Sequence, residues 1–246
     1  MKSSLPATHL LKIYLLFALT VLFLLTLVRT VYGIWQLPKF EQVDTVLNTF
    51  GTGLRFDLSV IGTILLVPVV LFTLLAMMGF TRALSKGLIV VWLSIGLLYV
   101  LLSELITPYF MAEQGLRPDM ASLSAISNPV QFLASLWSTH LIPAVIGIVL
   151  CVLIMIAFIN RLELGRLLRF RINPVSGLLL MVVGGVLCVL AIWSGVDPKK
   201  PPLHPGDALI SEDRMVNEIA LNSPFKVAYS MVSSQLPGSA AAAAPQ

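Results

Sequence analysis

Five stretches of the chain are apolar for about the length that crosses a membrane: Leu11–Val28, Leu58–Phe80, Leu88–Ile106, Leu141–Ile159 and Val175–Trp193. A helix needs about 20 apolar residues to traverse a hydrocarbon core of roughly 30 Å, and inside such a core the backbone must satisfy its own polar groups. The pattern therefore predicts an all-α polytopic membrane protein with five transmembrane helices over residues 1–193. Lys2 and Lys12 flank the first run as they would a signal peptide. That run is too long for an h-region, however, and no small-x-small cleavage site follows, so it reads as a retained anchor. Asn173–Pro174 supplies a cap and a first-turn proline to the fifth span. Pro68 and Pro143 are expected to kink their helices. No span carries a small-xxx-small motif built on two glycines.

Between and after the spans the periodicity changes. The connection Tyr109–His140 predicts a surface helix around Pro129–Trp137, with Phe132, Leu133, Leu136 and Trp137 on one apolar face and with Tyr109 and Trp137 as interfacial aromatics. Val196–Gly206 is proline-rich and should run extended. Two short amphipathic helices are expected beyond it, one over Ser211–Leu221 and one opened by Ser223–Pro224 as cap and first residue. They suit a membrane surface or a following domain. Residues 194–236 thus read as an external linker, and 237–246 as a low-complexity tail.

Composition narrows the classes. With 57% hydrophobic residues, 11% charged residues and a mean hydropathy of +0.93, a water-soluble globule is excluded and so is a disordered chain. The net charge of +4 has meaning only through its distribution, and no nucleic-acid partner is expected. The short turn with Arg82 and Lys86 and the loop with Arg161, Arg166, Arg169 and Arg171 are almost purely basic, whereas the longer connections carry Glu41, Asp44, Glu113, Asp119 and Asp197. The positive-inside rule then places the N-terminus in the cytoplasm and the C-terminal segment outside, with membrane phospholipids as the first partners.

Catalytic motifs are missing from the sequence. His9, His140 and His204 are scattered, no HExxH, CxxC, GxSxG or GxxxxGK[ST] spacing occurs, and Cys151 and Cys188 sit in apolar runs as inert small hydrophobes. Neither a catalytic residue nor a metal ligand is assigned. The unusual polar residues are Arg55, Asp57 and Glu104, near the ends of spans two and three, where charges are costly unless paired or hydrated. Arg55 and Asp57 project to opposite sides of a helix and should find partners elsewhere. Glu104, Glu113, Arg117 and Asp119 are the candidates, and a lipid phosphate is a further one for Arg55. These residues read either as structural ion pairs that set span packing or as lipid headgroup contacts. The absence of a charge at mid-span argues against a transporter.

Three segments carry a family resemblance: GTGLRFDLSVIG at Gly51–Gly62, the loop from Pro108 through Arg117-Pro-Asp-Met to Leu136-Trp-Ser, and Glu212–Lys226. From about Arg29 to Ser233 the chain resembles the membrane half of lipoteichoic acid synthase-like proteins, which are phosphoglycerol or phosphoethanolamine transferases of the alkaline phosphatase and sulfatase superfamily. The resemblance implies a bacterial cytoplasmic membrane and linker helices leading to an external catalytic domain. That domain would supply the nucleophile and a divalent metal, Mn or Mg, and none of those roles falls on a residue of this chain. The expected role here is an anchor that presents a lipid substrate. The alternative is a membrane scaffold or subunit that binds a partner through its external C-terminal helices.

Overall fold

The computed structural model describes residues 8–40, 42–78, 82–126, 128–162, 173–195 and 201–234. Every regular element there is helical. Five helices are long and apolar enough to span a membrane: α1 (Thr8–Trp35), α2 (Val43–Met77), α3 (Arg82–Gln114), α5 (Pro129–Arg161) and α6 (Pro174–Trp193). A single short turn of helix, α4 (Met120–Ser124), lies between α3 and α5. Two short helices, α7 (Arg214–Ala220) and α8 (Ser223–Ser233), follow the bundle. This is the all-α, five-span architecture that the hydropathy pattern predicts. The basic loop beyond Glu163, the start of the proline-rich run and the low-complexity tail lie outside the described residues.

The helices are longer than the apolar runs. α2 begins at Val43 rather than near Leu58, and α3 continues through Pro108 to Gln114. The surface helix expected at Pro129–Trp137 is the first part of α5, a continuous helix of 33 residues. At 1.5 Å per residue that is about 50 Å, longer than a bilayer core requires. Asn128 starts it, its side chain accepting from the backbone N–H groups of Val130 and Gln131.

The core follows a stripe of buried side chains on α1: Leu10, Tyr14, Phe17, Val21 and Leu25, recurring every three or four residues. They meet Val60, Ile61 and Leu65 of α2 and Ile89, Leu93 and Leu97 of α3. α6 lies against α2 through glycines drawn from both helices. A Cβ on Gly62 would stand 2.7 Å from the Cys188 carbonyl oxygen, and one on Gly184 would stand 2.8 Å from Val69. Close approach here needs no two-glycine motif within one span. α5 and α6 are the least buried of the five, with only 6% and 11% of their most apolar stretches covered by the rest of the described chain.

Pro68 does not end α2. The helix passes through a π-helical turn at Pro68–Phe72 and continues from Thr73. Proline has no N–H for the carbonyl one turn earlier, that of Ile64. The Trp92 indole N–H of α3 donates to that carbonyl at 2.8 Å. The Pro68 carbonyl accepts from Tyr14 at 2.8 Å and from Thr73 at 3.0 Å. Neighbouring helices thus repair a proline defect that would otherwise be unsatisfied in lipid. Trp92→Phe keeps the edge-to-face contact with Phe72 but strands the Ile64 carbonyl, and it is expected to cost about 1–3 kcal/mol. Thermal unfolding in detergent, followed by thiol labelling of Cys188, measures this. An unchanged midpoint would show that the carbonyl does not need the indole.

Candidate functional site

The chain after α6 turns back onto one end of the bundle. A 3-10 turn at Pro205–Ala208 and helices α7 and α8 seat their apolar residues there. Val216, Ile219 and Ala220 are fully buried, and Leu221 nearly so. Leu203, Ala208, Ala220 and Leu221 close over Phe56 of α2, whose ring meets that of Phe225 edge-to-face with centroids 4.8 Å apart. Met111 and Tyr32 cover Ile219 from the other side. Both helices therefore pack against the end of the bundle.

Asn222 caps α8 by accepting from the Phe225 N–H, so the cap stands one residue before the expected Ser223. That shift frees Ser223 for other bonds. Its N–H donates to Glu104, and its hydroxyl sits 2.6 Å from that of Thr107. Asn217 folds the preceding loop by accepting from the Ile210 and Ser211 N–H groups and donating to the Ser211 carbonyl.

Two buried ion pairs fasten the segment. In the first, the Arg29 guanidinium of α1 donates to both carboxylate oxygens of Asp57 at 2.7 and 2.8 Å. The two side chains are 2% and 0% exposed. Arg29 also donates to the Ile219 carbonyl, and the Asn222 amide donates to Asp57 at 2.9 Å. In the second, Arg117 donates to both oxygens of Glu104 at 2.9 Å, to the Ser223 hydroxyl at 2.9 Å and, through Nε, to the Glu218 carbonyl at 2.7 Å. Its backbone N–H donates to the Glu218 carboxylate, which also accepts from Lys226. The Arg117 guanidinium lies 5.4 Å from the centroid of the Tyr32 ring.

α7 is where both arrangements converge. The last carbonyls of any helix lack in-helix donors, and those of Glu218 and Ile219 receive the two guanidinium groups. Cations at a helix C-terminus also complement its dipole. At the other end of α7, Asp213 caps the helix and pairs with Lys39 at 3.0 Å on the surface. Its partial burial works against ionisation, but the Lys39 hydrogen bond and the Met215 and Val216 N–H groups outweigh this and hold the carboxyl below its ordinary range.

The predicted residues separate into different roles. Asp57 and Glu104 are each in a buried pair, but not as expected: Asp57 takes Arg29, which was not among its candidate partners, and Glu104 and Arg117, both candidates for Arg55 and Asp57, pair with each other. Arg55 points the other way, its Nε donating to the Ser194 hydroxyl at 2.8 Å on the exposed side of α2. Ser194 ends α6 in the left-handed conformation at φ 56°. Tyr109 makes edge-to-face contacts with Phe110 and Phe132. Trp137 lies in α5, but its side chain is outside the described set.

Arg29 was missed, because the first apolar run was ended at Val28. The signal was present: α1 continues to Trp35, and the buried stripe runs from Leu25 through Arg29 to Tyr32. On the facing side of α2, Gly53 leaves room for the guanidinium, where a Cβ would overlap it. Gly53→Ala is therefore expected to push Arg29 off Asp57 and to destabilise by about 2–4 kcal/mol, near the cost of breaking a buried pair. Gly51→Ala is the control, since nothing lies within 4 Å of its Cβ position. Equal unfolding midpoints for the two variants would refute this account.

Among the described residues no group of three or more His, Cys, Asp or Glu side chains could hold a metal ion. The donor set does not fit a divalent metal, and these residues supply no step through one. No family model matches the sequence, and no solved structure matches the fold.

Proposed function

We propose that this chain is the membrane base of a phospho-headgroup transferase of the cell envelope, holding a catalytic module at a set height and orientation over a lipid substrate. The module acts in cis or as a separate subunit. The membrane is the bacterial cytoplasmic membrane, with the N-terminus inside and the docked segment outside. One observation carries the reading: residues 201–234 are fixed to the bundle end by hydrogen bonds to two buried ion pairs rather than hanging as a tether. A flexible linker would suffice to keep a module near a membrane, whereas a rigid base fixes where an active site meets lipid.

The reading is tested in membranes from cells that make the natural gene product and from cells that lack the gene. Both are supplied with phosphatidylglycerol or phosphatidylethanolamine labelled in the headgroup. Release of headgroup onto an endogenous acceptor is expected only where the gene is present. Equal release from both membranes overturns the proposal. A second reading, a scaffold for a separate partner protein, draws support from the exposed apolar residues Leu209, Met231 and Val232 on the docked segment. A photocrosslinker at Met231 that captures no protein in the native membrane would remove it.

A further inference from the structure

A groove of about 570 Å³ runs between α1, α3 and α5. Its wall is apolar along Leu24, Leu27, Leu101, Leu105, Leu150 and Ile154, and polar chiefly at its two ends, with Glu104 and Pro108 at one and Arg161 at the other. It exists because α5 leans on α3 while meeting α1 only low down. The Phe17 and Phe158 rings touch edge-to-face with centroids 6.0 Å apart, and Leu162 is buried beside them. Toward Glu104 the two helices leave a wedge that no described side chain fills. From Leu16 to Val28 the groove follows α1 for about 18 Å, a little more than the roughly 15 Å that one leaflet contributes to the hydrocarbon core.

The Glu104 end has a specific chemistry. Pro108 has no N–H, so the Glu104 carbonyl one turn earlier lacks its helical donor. The equivalent defect at Pro68 is met by the Trp92 indole, but the Glu104 defect lies where Glu104 and Pro108 line the groove. Both the carboxylate and the freed carbonyl are acceptors. Among the described residues, the donors on the Glu104 carboxylate are Arg117 and the Ser223 N–H, which are already committed to it. A group entering here must bring hydrogen-bond donors.

We infer that this groove seats one acyl chain of a bilayer phospholipid, with a hydroxyl- or ammonium-bearing headgroup at the Glu104–Pro108 end, beside the docked C-terminal segment. The site deepens the proposed function, since it rests on the reading that the chain presents a lipid, and it places that lipid on a different face from Arg55. Arg161 at the closed end would favour a phosphate entering from the opposite leaflet, and the test separates the two orientations.

The experiment uses the full chain in phosphatidylcholine vesicles doped with a photoreactive phospholipid. The diazirine is placed either next to the glycerol or at the end of the acyl chain, and crosslinked peptides are mapped by mass spectrometry. The glycerol-proximal probe is expected to label around Pro108, and the chain-end probe around Ile154 and Phe158. Probes with phosphatidylethanolamine or phosphatidylglycerol headgroups should label about two- to tenfold more than a phosphatidylcholine probe, whose headgroup has no donor, as one hydrogen bond allows. Ala157→Trp, which fills the groove from an exposed position, should abolish that labelling. Val152→Trp, on a part of α5 that does not line the groove, should not. Pro108→Ala restores an N–H for the Glu104 carbonyl and should remove the headgroup preference.

Even labelling over the exposed faces of α5 and α6, or indifference to Ala157→Trp, overturns the site. Glycerol-proximal labelling at Arg161 overturns its orientation, and equal labelling by all three headgroups overturns donor recognition. Crosslinking needs no turnover. Groove labelling without headgroup transfer would therefore sink the transferase reading alone, and transfer without groove labelling would sink only this inference.

Discussion

Arg29→Ala is expected to destabilise the protein by about 3–5 kcal/mol, because it leaves the Asp57 carboxylate buried with one charged partner gone. Asp57 is fully buried, and among the described residues its remaining side-chain partner is the Asn222 amide. The loss also strips the Ile219 carbonyl of its donor. Two readouts divide the effect. The unfolding midpoint in detergent reports the bundle, and tryptic cleavage at Lys226, half-buried against Glu218, reports release of the C-terminal segment. Both should change, with cleavage rising well before global unfolding. The apolar double variant Arg29→Met with Asp57→Leu should recover part of the midpoint, since replacing both members of a buried pair is often nearly neutral. It should not restore protection at Lys226, because Asn222 and Ile219 would still lack their partners. A single variant with wild-type midpoint and cleavage would show that the pair does not fasten the segment.

The residues that carry this architecture were unequally legible in the sequence. Hydropathy over about 20 residues reports a bilayer-length core and located all five spans. It says little about where a helix ends once outside the core, which is why α2, α3 and α5 extend beyond their apolar runs. Glu104 and Arg117 stood out in the sequence only as candidate partners for Arg55 and Asp57; that they pair with each other across the end of α3 comes from the fold. Asp57 could be seen to need a partner, but its partner is 28 residues away on another helix. Local spacing gives no such pairing. The α1 periodicity did mark Arg29 as facing inward once the helix was extended by two turns. The docking of α7 and α8 was the least visible feature, because an amphipathic face looks the same whether it meets lipid, another domain or its own bundle. What distinguishes the last case is the pattern of polar residues at the ends of α7 and α8. Asp213, Asn217, Glu218, Asn222 and Ser223 each form a hydrogen bond within the packing of this segment, and a free amphipathic helix would have no use for so many.

Arg117→Lys should destabilise almost as much as Arg117→Ala, by about 3–5 kcal/mol, although the charge is kept. The guanidinium reaches Glu104, Ser223 and the Glu218 carbonyl from one planar group. A lysine ammonium is a point charge on a narrower stem and cannot span all three. The consequence for the segment depends on whether the two arginines act on it together. Their acceptors are consecutive carbonyls at the end of α7, contributed by Glu218 and Ile219. If α7 leaves the bundle as one unit, losing either arginine releases the site the other one grips. The double variant Arg29→Ala with Arg117→Ala should then cost less than the sum of the single variants by about 1 kcal/mol or more, and protease release should already be near its maximum in either single variant. Additivity within about 0.5 kcal/mol would mean two independent fastenings, one per helix end. In that case α7 would be held in place by its buried apolar face, Val216 and Ile219, rather than by the arginines.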